Sequence, residues 1–472
     1  MDKNVERFLE AEKEHDLFAL SLGGKRIWSF LRLEVFRLIE RQLLRSNLIP
    51  VPYRQVFLSD GKTYTEEEQA AYEAKLIRDR MGCDFLIVNN KHRFVKDHGR
   101  PFCPVTGMLE QIDPHRFACC TQVYSWGEKL RYDSENDINY GKIRKQPWLR
   151  FREEEAEAFV SALQELFSAV FQIELDPRFQ RDVARQIRHV ADNFAYLDFY
   201  LRLLGALKPK AVIVSSYYAI IDGVILTACA MLKIPTVEMQ HGTIGNEHVA
   251  YNCLVPSPLV LGVPDYLAAY GPFDQQVPRH FVKKENVIPV GNLFLNRIVR
   301  EYRERPPAPN PHPAVLIVSF NMRNEELVAF SLELKRLQPE WQIIYRFHPE
   351  ENIPQDTLLR LEAAGIICHR DFSVSIYELV SRADYIVGTK STVLYEALCF
   401  SKPSYVLLTE PDQSLWREAE KHMPHVDTAA SFLQALESPA PEASLERAAY
   451  FYRQDGEDAL VRLLRGLAEG SD

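Results

Sequence analysis

The chain has 472 residues, 46% hydrophobic and 26% charged, a globular composition that builds its core without disulfides or metal and, at roughly 150 residues per domain, makes two or three domains. Its 56 Lys and Arg against 65 Asp and Glu leave a net charge of −9. That excludes a general nucleic-acid coat with a basic face and leaves room for local basic pockets that take a phosphate.

The amino end, MDKNVERFLEAEKEHD, is charged and lacks the apolar core of a secretory signal. Residues 26–46 place Ile27, Phe30, Leu31, Val35, Phe36, Leu38, Ile39 and Leu43 at helical spacing, with Arg and Glu on the other face. Two readings stand: a helix packed on the body of the protein, or a helix lying on a membrane surface, which Trp28, two Phe and five Arg would suit. CDFLIVNN (83–90) reads as a buried strand running into a polar loop. Helices follow over 153–171 and roughly 178–206. KPKAVIVSSYY (208–218) is a strand ending in a turn, 220–234 a helix, and PTVEMQHG (235–242) a second strand, together a βαβ unit. The apolar stretch 211–234 is interrupted by Ser215, Ser216, Asp222 and Gly223 and is too short to span a bilayer. A soluble, cytoplasmic protein is expected.

Residues 300–313, with five prolines, read as a semi-rigid linker. Beyond them AVLIVSF, WQIIYRFHPE, GIICHR, DYIVGT and PSYVLLT alternate with helices, a second doubly wound parallel sheet. The expected fold class is therefore α/β: two Rossmann-like doubly wound domains facing a central cleft, with an N-terminal amphipathic helix and C-terminal closing helices. The boundaries are 1–46 (N-terminal helical segment), 47–299 (first Rossmann-like domain), 300–313 (linker), 314–437 (second Rossmann-like domain) and 438–472 (closing helices). The eight Cys show no CxxC and sit largely in apolar runs, which reads as buried thiols in a reducing compartment. Asp133 and Asp137 in DSENDIN read as a solvated loop.

Ligands in such sheets sit at the carboxyl ends of strands, and three clusters fall there. The first holds Glu238, Gln240, His241, Gly242, Glu247 and His248. Its glycine allows a sharp turn or close approach to a ligand, and a histidine can take a proton from an acceptor hydroxyl, with either Glu orienting it or acting as base. Zinc on His241, His248 and a carboxylate is the other reading, though the spacing fits no familiar zinc pattern. The second cluster is Arg346, His348, Pro349, Glu350 and Glu351, a guanidinium and an imidazole suited to phosphate. The third is Gly388, Thr389, Lys390, Ser391 and Thr392, opening a helix that carries Glu396, which is placed for a sugar hydroxyl pair. A helix amino end with hydroxyls and a Lys is an anion site, and helix capping explains the same residues. No GxxxxGK[ST], GxGxxG or GxSxG motif is present, which sets aside a P-loop NTPase, weakens a nicotinamide or flavin enzyme and disfavours an α/β-hydrolase. With no convincing DxD pair, a metal-independent mechanism is expected.

TVEMQHG, RFHPEE and GTKSTVLYEALCFSKP together resemble bacterial GT-B glycosyltransferases of surface-polysaccharide assembly: capsule and O-antigen transferases, polysialyltransferases, capsule Kdo transferases and teichoic-acid glycerophosphotransferases. FALSLGGKRIWSFLRLEVF, and EMQHG followed by His248 and Tyr251, resemble capsular transferases as well. The resemblance implies that His348 of the HP pair contacts the donor phosphate, that Ser391 and Thr392 hold the nucleotide phosphate with Glu396 following, and that His241 is a base or site organiser. Arg346 and Lys390 join the donor site, and Gln240, Gly242 and His248 support the acceptor loop. The acidic-Gly motif of the polysialyltransferases is not clearly present, so the base stays open among His241, Glu238 and Glu247.

The expected function is transfer of a sugar from a nucleotide-activated donor, CMP-sugars slightly favoured, to a surface polysaccharide or glycolipid acceptor. The second domain would hold the donor and the first the acceptor, with closure about 300–313 excluding water. No cofactor, metal or nucleic acid is expected, and the partners are a nucleotide sugar, a saccharide or lipid-linked acceptor, and peripherally the inner membrane or a capsule assembly complex. The alternatives are a nucleotide-sugar epimerase on the same two-domain plan and a non-catalytic glycan-binding subunit.

Overall fold

The computed structural model describes the chain apart from residues 1–2, 44–55, 58–61, 98, 113–115, 123, 126–135, 243, 246–247, 256–260, 277–280, 320–323, 349–352, 371–373, 390, 409–422, 438–444 and 471–472. Two compact units result: Met1–Ala269 with Gln275–Ile288 and Glu457–Asp472, and Tyr270–Asp274 with Pro289–Gly456. This differs from a boundary at 300–313. Residues 300–304 are the last turn of a helix, Leu293–Glu304, capped by the Asn292 side chain, and that helix buries Leu295 and Val299 in the second unit's core. Charged, Pro-rich composition signals an exposed segment; here the division is decided by which core the flanking apolar residues join.

The first unit is built on a seven-stranded sheet. In chain order its strands are β1 (Phe85–Asn90), β2 (Phe117–Gln122), β3 (Asp137–Ile138), β4 (Ala211–Val214), β5 (Thr236–Met239), β6 (Tyr266–Ala269) and β7 (Val287–Pro289). Their spatial order is β7-β6-β5-β4-β1-β2-β3. Every residue of β1, β4 and β5 is buried, as expected of parallel strands covered on both faces. The strands β2, β3, β6 and β7 go beyond the expected βαβ unit, because they are short or polar and pair with an existing edge rather than announcing themselves by an apolar run. Asp137, expected in a solvated loop, is on β3, buried, and ion-paired to Lys91 at 2.9 Å.

Helices α1 (Lys3–Glu14), α2 (Trp28–Leu43), α3 (Glu153–Phe171), α4 (Pro177–Phe194), α5 (Leu197–Leu207) and α6 (Ile220–Leu232) cover this sheet. The expected single helix over 178–206 is two, because the Ala195 carbonyl accepts from the Gln146 amide at 2.8 Å instead of continuing the helical ladder. The apolar stripe of α2 is consumed by the core: Trp28, Leu31, Val35, Phe36, Leu38 and Ile39 are buried, and Phe8 of α1 stacks on Trp28 and on Phe167 of α3. No residue of α2 is exposed, so the packed reading holds and the membrane-surface reading finds no free apolar face on this helix. Among the described residues no helix is long and apolar enough to cross a membrane.

The second unit has a six-stranded parallel sheet of β8 (Ala314–Val318), β9 (Gln342–Arg346), β10 (Ile367–His369), β11 (Tyr385–Gly388), β12 (Ser404–Leu407) and β13 (His425–Val426), in the order β10-β9-β8-β11-β12-β13. Both sheets thus start near the middle, step outward for two strands, return, and step outward the other way. That doubly wound order leaves a crevice at the carboxyl ends where the direction reverses: between β1 and β4 in the first unit, between β8 and β11 in the second. The eight cysteines are free thiols, six of them buried.

Candidate active site

In the first unit the register sets Val214 of β4 beside Glu238 of β5, so the residues that follow, Ser215–Tyr218 and Gln240–Gly242, emerge side by side. The Glu238 side chain points into the protein and is 0% exposed. Its Oε1 accepts from the Tyr251 hydroxyl at 2.7 Å and the Tyr217 amide at 3.2 Å, while Oε2 has no hydrogen-bond partner among the described residues. Burial pushes this carboxyl up to about 8, because the charged form loses its hydration.

His241 stands between Glu238 and Tyr218. Its Nε2 is 2.7 Å from the Tyr218 hydroxyl, and its Nδ1 is 3.8 Å from Glu238 Oε1. Tyr218 is half-buried; burial raises its hydroxyl overall, while Arg93, Arg37 and Ser216 favour the phenolate. His248 packs edge-on against Tyr251 at 5.0 Å and lies 5.3 Å from Tyr218. Burial, with Arg37 adding to it, drives His248 down to about 3, so it is neutral throughout the physiological range. Gln240 braces the loop through the Gly242 carbonyl at 2.8 Å. Gly242 itself is not in the left-handed region, and a Cβ there would meet nothing within 4 Å. Neither a sharp turn nor packing within the protein demands this glycine, and the space beside it is open. Glu247 lies outside the described residues.

Deeper at the same strand ends, Asp222 opens α6 and is fully buried. Asn90 of β1 and Gln122 of β2 each donate an amide hydrogen to it at 3.0 Å, and burial raises it to about 7. Tyr218, Asp222, Arg93 and Arg37 were not singled out as site residues in the sequence. The only signal for Tyr218 was its place four residues past a buried strand; for the others there was none.

In the second unit one row of register runs His369, Arg346, Val318, Gly388, Val406 across five strands. The residues just beyond it make the crevice. Ser319 donates its amide to the Arg346 carbonyl at 3.0 Å, and its hydroxyl accepts from the His348 amide at 2.8 Å, so Ser319 ties the two loops together. Gly388 is needed here: a Cβ would sit 2.6 Å from Val318 Cγ2 and 3.0 Å from the Val318 carbonyl oxygen. Arg346 is buried and alternates with Tyr345, so it shares a sheet face with Ile344, whose neighbours include Leu394 and Leu398 of the helix Val393–Cys399. Ser391 caps that helix by accepting from the Val393 amide at 3.3 Å. Glu396, expected to take a sugar hydroxyl pair, is half-buried in the first turn of that helix; burial raises its carboxyl, against the Thr392 and Tyr377 hydroxyls that lower it. Lys390, Pro349, Glu350 and Glu351 lie outside the described residues. Among the described residues no group of three His, Cys, Asp or Glu is arranged to hold a metal ion.

No protein-family model matches the chain, and no curated protein matches it. Solved structures do. UDP-GlcNAc 2-epimerase from Neisseria meningitidis, bound to UDP-GlcNAc, superposes with a TM-score of 0.50 at 14% identity over 81% of this chain and 99% of that one. Another UDP-N-acetylglucosamine 2-epimerase gives 0.50 at 11% over 83% and 98%. The wall teichoic acid polymerase TagF gives 0.47 at 9% over 93% and 97%. At such identities the likeness is one of fold. This is a GT-B fold. Each of its two Rossmann-like units carries its polar cluster where the strand order reverses.

Proposed function

We propose that the protein is a glycosyltransferase that uses a nucleotide sugar, with the second unit holding the donor and the first unit the acceptor. The observation that carries this reading is a division of labour. The first unit carries a proton-handling set, Tyr218 and His241 joined by a 2.7 Å bond, with Glu238 3.8 Å from the imidazole. The second unit carries an anion-suited set, Arg346, Ser319 and His348, pinned by the 2.8 Å bond to the His348 amide. A reaction with a charged leaving group and a hydroxyl nucleophile needs both.

In the proposed mechanism Arg346 and His348 stabilise negative charge as it builds on the departing phosphate. A proton leaves the acceptor hydroxyl at the first-unit cluster as the new glycosidic bond forms. The acceptor is a saccharide or lipid-linked glycan of surface-polysaccharide assembly, and peripheral contact with the membrane or an assembly complex belongs to this proposal.

A thermal-shift panel of CMP, CDP, UDP, GDP and their sugars tests it. A ligand at 100 times its dissociation constant stabilises by about 2.7 kcal/mol. The expected result is a response to one nucleotide class that His348→Ala abolishes and His241→Ala keeps, with nucleotide released only slowly until acceptor is added. Conversion of the sugar with the nucleotide still attached would show an epimerase. Silence toward every nucleotide would show a glycan-binding subunit.

A further inference from the structure

By residue type the proton acceptor is His241, yet its Nε2 is engaged within the protein and its Nδ1 is sealed from solvent, so neither edge is open to a substrate. Nε2 is taken by the Tyr218 hydroxyl at 2.7 Å, and Nδ1 faces the buried Glu238 oxygen at 3.8 Å. With its hydrogen on Nδ1, the side that faces Glu238, the imidazole presents its Nε2 lone pair to the Tyr218 hydroxyl. In that tautomer the Tyr218 hydroxyl donates to His241, and a neighbouring Ser216 favours the charged form of the phenol against the burial that raises it. A phenolic oxygen also carries lone pairs, so Tyr218 can accept from a substrate hydroxyl while it donates to His241.

We infer that Tyr218, not His241, is the residue that meets the acceptor hydroxyl, and that His241 acts behind it as the proton store. The inference rests on the transferase reading. In the step, the acceptor oxygen bonds to the donor's anomeric carbon as the carbon–oxygen bond to phosphate breaks, its electron pair leaving with the nucleotide. The acceptor's proton passes to Tyr218 Oη while the phenolic proton passes to His241 Nε2, leaving an imidazolium beside Glu238.

The surroundings suit that traffic. Arg93 is half-buried, and its Nε is sealed from solvent without a hydrogen-bond partner among the described residues. Its charge, with that of Arg37, favours negative charge on Tyr218. The two guanidiniums come from different elements, Arg37 from α2, where it pairs with Glu34 at 2.7 Å, and Arg93 from the loop after β1, so their charges reach one phenol only in the folded chain. Glu238 is too deeply buried to touch an acceptor and is a positioning residue for the imidazole.

Two measurements test the inference. In the intact protein labelled with ¹⁵N-histidine, the His241 signals are found among the 13 histidines by their loss in His241→Gln. The expected state at neutral pH is the Nδ1–H tautomer, with an Nε2 resonance that moves in Tyr218→Phe. An Nε2–H tautomer overturns the inference, because that nitrogen would then donate to the phenol and could not receive its proton. The second measurement is nucleotide release from CMP-, UDP- and GDP-sugars. Tyr218→Phe keeps the ring contacts to Tyr217, Tyr251 and both imidazoles, so it is expected to melt as the wild type does and to keep the nucleotide's thermal shift. It is expected to lose about 10²–10⁴-fold in turnover, and the double variant with His241→Ala should be no slower than the slower single one, since groups acting as a unit are not additive. Turnover within threefold of wild type in Tyr218→Phe overturns the inference and leaves the transferase reading intact. A wild-type protein inert toward every sugar overturns the transferase reading, and this inference with it.

Discussion

Arg32 of α2 grips Glu12 of α1 through two bonds, Nε to Oε1 and Nη2 to Oε2, both 2.7 Å. Two of its three remaining hydrogens reach the backbone carbonyls of Val249 at 2.5 Å and Asn252 at 2.9 Å. The amino-terminal helices therefore hold the turn that presents Tyr251 to Glu238 and His248 to Tyr218. From the other side Asn252 Nδ2 holds the Gly245 carbonyl at 2.9 Å and the His248 carbonyl at 3.0 Å. The helical segment at the start of the chain is thus part of the scaffold of the first-unit cluster.

Removing one partner of this pair leaves the other charge buried and unpaired, which costs about 3–5 kcal/mol. Glu12→Ala is expected to lower the first unit's stability by that amount in urea unfolding. The nucleotide response, assigned to the second unit, is expected to persist below the transition. A loss under about 1 kcal/mol would mean that the pair is hydrated and the clamp weak.

The buried carboxyls make stability depend on pH with a definite sign. Glu238 rises from 4.5 to about 8 and Asp222 from 3.8 to about 7 on folding. The unfolded chain sheds these protons first, so their contribution is full below about pH 4 and is lost as pH rises through 7 and 8. Glu238→Gln retains an oxygen to accept from Tyr251 and Tyr217 and cannot ionise. Its urea midpoint is expected to match wild type near pH 5 and to exceed it at pH 9. The reverse order would show that Glu238 is ionised and well solvated in the native state.

Two glycines at strand ends are expected to behave oppositely. Gly388→Ala drives a Cβ into Val318 and is expected to cost about 1–3 kcal/mol through overpacking. Gly242→Ala meets open space, so stability should stay within about 0.5 kcal/mol while transfer falls, because the new methyl occupies room left beside His241. Paired melting and turnover assays check both. Full activity in Gly242→Ala would remove that loop from the acceptor site.

Ser319→Ala leaves the His348 amide without the acceptor it has at 2.8 Å. The expected cost is about 1–3 kcal/mol, together with a weakened nucleotide thermal shift, since the loop that aims His348 loses its tie. An unchanged nucleotide shift would separate Ser319 from the donor site.

Much of this molecule was legible in order along the chain. The runs FLIVNN, AVIV, TVEM, AVLIV, QIIYR, YIVG and SYVL are buried strands, and the motif residues His241, His348 and Ser391 follow them at the carboxyl ends. What stayed hidden was local in appearance and distant in cause. Asp137 looks like a loop residue until Lys91 approaches it. FACCTQ carries no strong strand signal and pairs because β1 offers it an edge.

The sequence by itself determined the two doubly wound α/β halves and the strand ends at which chemistry-bearing residues collect, because hydrophobic periodicity and strand-terminal loops are set by neighbours a few residues away. Only the tertiary structure decided that Tyr218 sits on His241 Nε2, that Glu238 is sealed beneath them, and that Arg32 anchors the loop above. Those relations depend on sheet order and register, which bring β4, β5 and the amino-terminal helices together, and no local pattern of residues encodes a partner supplied by another strand.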